Sequence, residues 1–199
     1  MTARRIVLLL GTMVATLALL TPAAFGVGDP EVHHSGTFWA WDAPASFVGS
    51  ESANGITITG ANGATLDTGF SSILCANGAT WDNSVTNYFA SKRRGLRNTG
   101  FTLSNVSNIA HPAGTPTLYR RQRMNFTVQS GATVKKGEFT FDYNFNTNVD
   151  GVNYCFARNL GIYSNRAKFA TLRPTLVNIN NSLVYFGPGA CTPSPSTPC

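Results

Sequence analysis

Few residues in this chain could do covalent chemistry, and their spacing narrows what that chemistry would be. Asp67 stands in Asp67-Thr68-Gly69, after two short apolar runs divided by Gly60-Ala61-Asn62-Gly63. Such a carboxylate activates water when a second one shares its proton, because two adjacent like charges cannot both ionise. The chain has one Asp-Thr-Gly. Ser50 and Ser52 are outside any Gly-x-Ser-x-Gly turn, and His33, His34 and His111 give no base placed for a Ser-His-Asp set. Neither Cys-x-x-Cys nor His-x-x-x-His occurs, so no metal site is expected, and no cofactor motif is present. What remains is cationic. Lys92, Arg93, Arg94 and Arg97 form one run and Arg120, Arg121 and Arg123 another, a set suited to binding a polyanion.

Charge is unevenly spread along the chain. The formal net charge is +6. From Val27 to Ser91 there are only acids (Asp29, Glu31, Asp42, Glu51, Asp67, Asp82), whereas Lys92 to Arg173 carries every base except Arg4 and Arg5 against Glu138, Asp142 and Asp150. Either the two halves neutralise each other across one fold, or the second half presents a basic face. Aromatic residues are sparse among the bases on the polar faces, so sequence-specific nucleic-acid recognition is not expected.

The N-terminus sets the compartment. Arg4 and Arg5 precede an apolar run from Ile6 to Leu20, followed by Thr21-Pro22-Ala23-Ala24-Phe25-Gly26. Basic, apolar and small segments in that order make a secretory signal, and the apolar run falls short of the ~20 residues a membrane-spanning helix needs. Cleavage is placed after Gly26, no Cys at the junction suggests a lipid anchor, and no transmembrane segment is left afterwards. The product is expected to be secreted. Cys75, Cys155, Cys191 and Cys199 all follow the leader, an even number for an oxidising compartment. Cys191 and Cys199 flank a short Pro-rich segment and are expected to pair, leaving Cys75 with Cys155, whose long loop contributes about 4 kcal/mol in the chain-entropy model. Oxidised cysteines are not nucleophiles.

The elements that position these groups follow from hydrophobic period. Residues 27–54, with Trp39 and Trp41 among Pro, Gly and Ser, read as an irregular arm with at most a short strand. Ile56, Ile58, Ala64 and Leu66 around the Gly/Asn turn read as a hairpin, with Phe70 to Cys75 continuing it. A helix capped by Asp82 or Ser84 follows, with Val85, Tyr88, Phe89 and Leu96 on one face, bases near its end and Asn98-Thr99-Gly100 as its stop. Four extended runs come next: 101–109, 118–129, 138–145 and 152–163. Met124, Phe126 and Val128 alternate with Arg121, Arg123, Asn125 and Thr127, and Phe139, Phe141, Tyr143 and Phe145 with their polar neighbours. Val152, Tyr154, Phe156, Leu160 and Ile162 are expected inward. This pattern predicts an antiparallel meander with one covered face. A second helix, capped by Ser164 or Asn165, would bring Phe169, Leu172, Leu176 and Ile179 against that face, with a kink or break at Pro174. The fold class is α+β, an antiparallel sheet of hairpin plus four-strand meander flanked by two helices. The chain divides into a signal peptide (1–26), the arm (27–54), an α+β domain (55–186) and a disulfide-closed tail (187–199).

Two resemblances add to this. From Ile56 to Asn180 the element order, with the closing pattern Phe169-x-x-Leu172-x-x-x-Leu176-x-x-Ile179, resembles the PsbP, Mog1 and DcrB sandwich domains, in which two helices pack on either side of an antiparallel sheet. That resemblance implies a non-enzymatic accessory, binding or assembly role and transfers no catalytic residue. The run from Ile56 to Gly69 resembles the strand, turn, strand and Asp-Thr-Gly of retropepsin-like aspartic proteases, which implies Asp67 as a catalytic carboxylate in a homodimer. Three functions are therefore open: a secreted accessory or binding protein engaging an anionic cell-wall polymer or an envelope protein through Lys92, Arg93, Arg94, Arg97, Arg120, Arg121 and Arg123; a homodimeric aspartic protease; and a structural subunit of an extracellular assembly, suggested by the Trp-bearing arm and the low charge.

Overall fold

A computed structural model describes residues 30–74, 81–110, 119–149 and 152–186. The expected leader, the 187–199 tail, His111, Cys75, Cys191 and Cys199 lie outside them.

The larger of two sheets has seven antiparallel strands in the order β3-β4-β5-β9-β8-β7-β6. These are β3 (Val48–Ser52), β4 (Gly55–Thr59), β5 (Thr65–Leu74), β6 (Thr102–Ala110), β7 (Tyr119–Ser130), β8 (Thr133–Val149) and β9 (Val152–Asn165). The β4–β5 hairpin joins the meander through β5 and β9, with Leu66 opposite Ile162. Its turn is a single 3-10 turn at Ala61–Gly63 in which Asn62 and Gly63 take positive φ, conformations that Asn and Gly tolerate best. Helix α1 (Trp81–Asn98) precedes β6, and α2 (Phe169–Ser182) follows β9. Gly100, at φ +89, ends the first helix where the stop was expected.

The expectation of one covered face is overturned by the register. Phe141 stands opposite Asn159 and Tyr143 opposite Ala157, so the odd positions of β8 and β9 share a face. Phe141 and Tyr143 therefore cluster with Cys155, Ala157, Met124 and the α1 residues Val85 and Phe89. Leu160 and Ile162 point the other way, to a second core with Ile56, Ile58, Leu66, Leu172, Leu176 and Ile179. One helix closes each face.

The arm also differs from expectation. Residues 27–54 hold β1 (Glu31–Ser35), β2 (Trp39–Pro44) and β3, and β2 pairs with both β1 and β10 (Val184–Tyr185) to make the three-stranded second sheet. The segment is ordered by long-range partners. Glu51 accepts the backbone N–H groups of Thr37, Phe38 and Trp39, and Tyr185 donates its hydroxyl to the Ala53 carbonyl at 2.7 Å. Trp39, Trp41 and Phe47 are buried in the same core as α2. Gly49 lets the Trp41 ring lie close to β3, where a Cβ would come within 2.4 Å of it.

Both helix starts move. The first helix begins at Trp81, so Asp82 and Ser84 lie within it. The second begins at Phe169, because Ser164 and Asn165 remain paired with Lys136 and Lys135 as the end of β9. It runs unbroken through Pro174. An interior Pro costs about 3 kcal/mol, while each fully buried Leu or Ile contributes about 1.5–3 kcal/mol, so Leu172, Leu176 and Ile179 outweigh it.

Candidate anion-binding groove

On the α2 face, β6 to β8 extend past the helix, and their side chains there are polar. Antiparallel pairing sets them in rungs. Arg121 on β7 stands opposite Asp142 on β8, which stands opposite Arg158 on β9; the next rung is Arg123, Thr140 and Leu160, and the one beyond it Asn125, Glu138 and Ile162. Arg173, Val177, Asn180 and Asn181 of α2 form the facing wall, and the groove between them encloses about 600 Å³. That volume is in the usual range of ligand sites.

Its charges are unequally compensated. Asp142 is buried and accepts the Tyr119 hydroxyl at 2.6 Å, together with Arg121 through Nε at 2.6 Å and Nη2 at 3.1 Å. Burial, then the hydrogen bond to Asp142, pushes the Tyr119 hydroxyl above its ordinary range, and the same carboxylate raises the Arg121 guanidinium. Glu138 accepts two bonds from Arg173, from Nε at 2.6 Å and Nη2 at 2.9 Å, which holds that guanidinium firmly charged. Each groove carboxylate is thus committed to one arginine. Arg158 has no carboxylate within ion-pair distance among the described residues; it donates through Nη2 to Asn180 Oδ1 at 3.0 Å and through Nε to Thr68 Oγ1 at 3.3 Å. Burial pulls its pKa below the ordinary arginine value, the mark of a cation short of compensation. Arg123 is exposed and makes no hydrogen bond or ion pair with any described residue.

The bases singled out from sequence are divided between the two faces. Arg121 and Arg123 enter this groove. Arg93 donates to the buried Gln122 at 2.7 Å and, with Arg120, lines a separate hollow of about 330 Å³ between α1 and β6–β7. Lys92, Arg94 and Arg97 are exposed on α1, with Lys92 Nζ 5.3 Å from the centre of the Tyr88 ring. Arg158 and Arg173 were missed. Arg158 shares an even-numbered face with Leu160 and Ile162, a signal present in the alternation, but Arg173 beside Pro174 gives none.

Asp67 is held within the larger sheet. That residue is mid-strand in β5, between Thr57 and Gly161, and accepts the Thr57 hydroxyl at 2.8 Å. Asp67-Thr68-Gly69 lies within β5, since the hairpin turn is complete before Thr65. His33 contacts Asp42 at 2.8 Å across β1–β2, and His34 stacks on Trp41. Cys155 is fully buried and is not a free thiol. Among the described residues, no three His, Cys, Asp or Glu side chains gather as a metal site, and no helix is long and apolar enough to cross a membrane.

The chain resembles PsbP-type structures. The solution structure of cyanobacterial PsbP (CyanoP) from Synechocystis sp. PCC 6803 matches with a TM-score of 0.46 and 12% identity, over 82% of this chain and 98% of that one. The crystal structure of LpqN, involved in cell envelope biogenesis of Mycobacterium tuberculosis, matches with a TM-score of 0.46 and 14% identity, over 78% of this chain and 89% of that one. No family model matches the chain, and no curated protein does.

Proposed function

We propose that this protein is a secreted, non-enzymatic binding protein that holds an anionic, phosphate-bearing polymer of the cell envelope in the groove between α2 and β6–β9. One observation carries the reading: four guanidinium groups converge where only two carboxylates do, and both carboxylates are taken by Arg121 and Arg173. Arg123 and Arg158 are left to meet an incoming anion. A guanidinium presents two parallel N–H donors to phosphate oxygens, and a partly desolvated one gains more from such a partner than a solvated one does.

Titration of the full chain with soluble teichoic acid tests this. Affinity falls linearly on a log–log plot as salt rises, and Arg123→Gln and Arg158→Gln each weaken binding about tenfold, as expected for one charge-assisted contact. Unchanged binding in the folded double variant refutes it.

The same reading has the chain exported with loss of residues 1–26 and with Cys75–Cys155 and Cys191–Cys199 bridged. Cys155 on β9 stands opposite Ile73 of β5, and Ile73 precedes Cys75 by two positions in the sequence. Intact mass and non-reducing peptide mapping of the product check both points. An uncut leader or a free thiol at Cys75 refutes the corresponding one.

A further inference from the structure

We infer that Glu138 is a built-in substitute for the ligand: its carboxylate occupies Arg173 until a second anionic centre of the ligand replaces it, so the groove prefers multivalent anions to monoanions. The inference rests on the anion-binding reading above.

Three observations lead to it. First, Glu138 meets Arg173 through both Nε and Nη2, the fork geometry that a phosphate would also adopt. Second, this pair is solvated, with side chains 48% and 30% exposed, whereas those of Arg121 and Asp142 are 27% and 12% exposed and Tyr119 adds a further donor. Exposed ion pairs contribute little and exchange readily; a buried one with a third donor does not. Third, among the described residues the hydrogen bonds that tie α2 to the groove strands are those of Arg173 with Glu138 and of Asn180 with Arg158. The two helix residues are seven positions apart, about 10 Å at 1.5 Å per residue.

An orthophosphate cannot span that distance. It meets one end of the groove while still repelled by Glu138. A chain of phosphates reaches both ends, and its second charge replaces on Arg173 what Glu138 gives up. Arg173 is then a ligand residue held in reserve, and Glu138 sets the threshold of ligand charge.

The experiment is calorimetric titration of the full chain with orthophosphate and with linear inorganic polyphosphate, for the wild type, Glu138→Gln, Arg173→Gln and the double variant. Glu138→Gln is expected to tighten polyphosphate at least about threefold, and Arg173→Gln to weaken polyphosphate about threefold while leaving orthophosphate within about twofold. In the double variant the gain from Glu138→Gln disappears. Polyphosphate affinity unchanged by Glu138→Gln, or equal losses for both ligands in Arg173→Gln, overturns the inference. If Arg123→Gln abolishes wild-type polyphosphate binding and Glu138→Gln has no effect, only the substitute role falls. If the wild type binds neither ligand, the anion-binding reading falls with it.

Discussion

Toward α1 the sheet offers an apolar seam, Met124, Phe141, Tyr143, Cys155 and Ala157 beneath Val85 and Phe89. Toward α2 it is apolar only where the helix lies, at Leu66 and Ile162 beneath Leu172, Leu176 and Ile179, and turns to arginine, asparagine and carboxylate beyond it. The same strands thus serve one face that is mostly core and one that is half core and half groove. Hydrophobic burial needs only enough area to offset chain entropy, so strand positions beyond a helix are free to carry charge, provided that buried members are paired. In the groove, Asp142 meets that condition through Arg121 and Tyr119, whereas Arg123 and Arg158 are not needed to meet it.

The sharpest way to break this comparison is to remove Asp142. Asp142→Ala leaves the Arg121 guanidinium without its ion pair and the Tyr119 hydroxyl without its acceptor, at an expected cost of about 3–5 kcal/mol in urea unfolding. Arg123→Gln, one rung away, should change stability by less than about 0.5 kcal/mol. Equal costs for the two would mean that the groove is part of the folding core rather than a surface built upon it.

The contrast also explains what was legible in the sequence. Period-two alternation in each run located the meander, and the 3.6 period located Val85 and Phe89 as well as Leu172, Leu176 and Ile179. Neither reveals how strands sit against each other. Placing Phe141 opposite Asn159 rather than Leu160 is a matter of register, and a shift of one residue exchanges the faces. One covered face was therefore expected where there are two, and Lys92 to Arg97 was grouped with Arg121 and Arg123 across the thickness of the sheet. The arm was illegible for a different reason. β2 pairs locally with β1, but its second partner, Val184–Tyr185, is far along the chain and the acceptor for its entry turn is the Glu51 side chain, so the sequence around it shows little of what holds it. Arg158 and Arg173 join the site only through register and helix placement.

A smaller effect tests how tightly the α1 seam closes. Tyr88 packs on Tyr143 with ring centres 4.9 Å apart, and burial first, then the nearby Tyr143 and Asp142, moves its hydroxyl from 10.0 to about 12. The folded pKa is raised, so the associated stability is complete below pH 10 and is lost as pH rises through about 12, because the unfolded chain releases this proton first. The Tyr119 hydroxyl on the opposite face is pushed higher still by burial and by its bond to Asp142, so its loss comes later in an alkaline titration. Tyr88→Phe should therefore flatten the decline in unfolding free energy between about pH 10 and 12 and remove one phenolate step from an ultraviolet titration. If the decline in unfolding free energy persists in Tyr88→Phe, the rim of the α1 seam at Tyr88 is open to water, and the two faces differ less in closure than their side chains suggest.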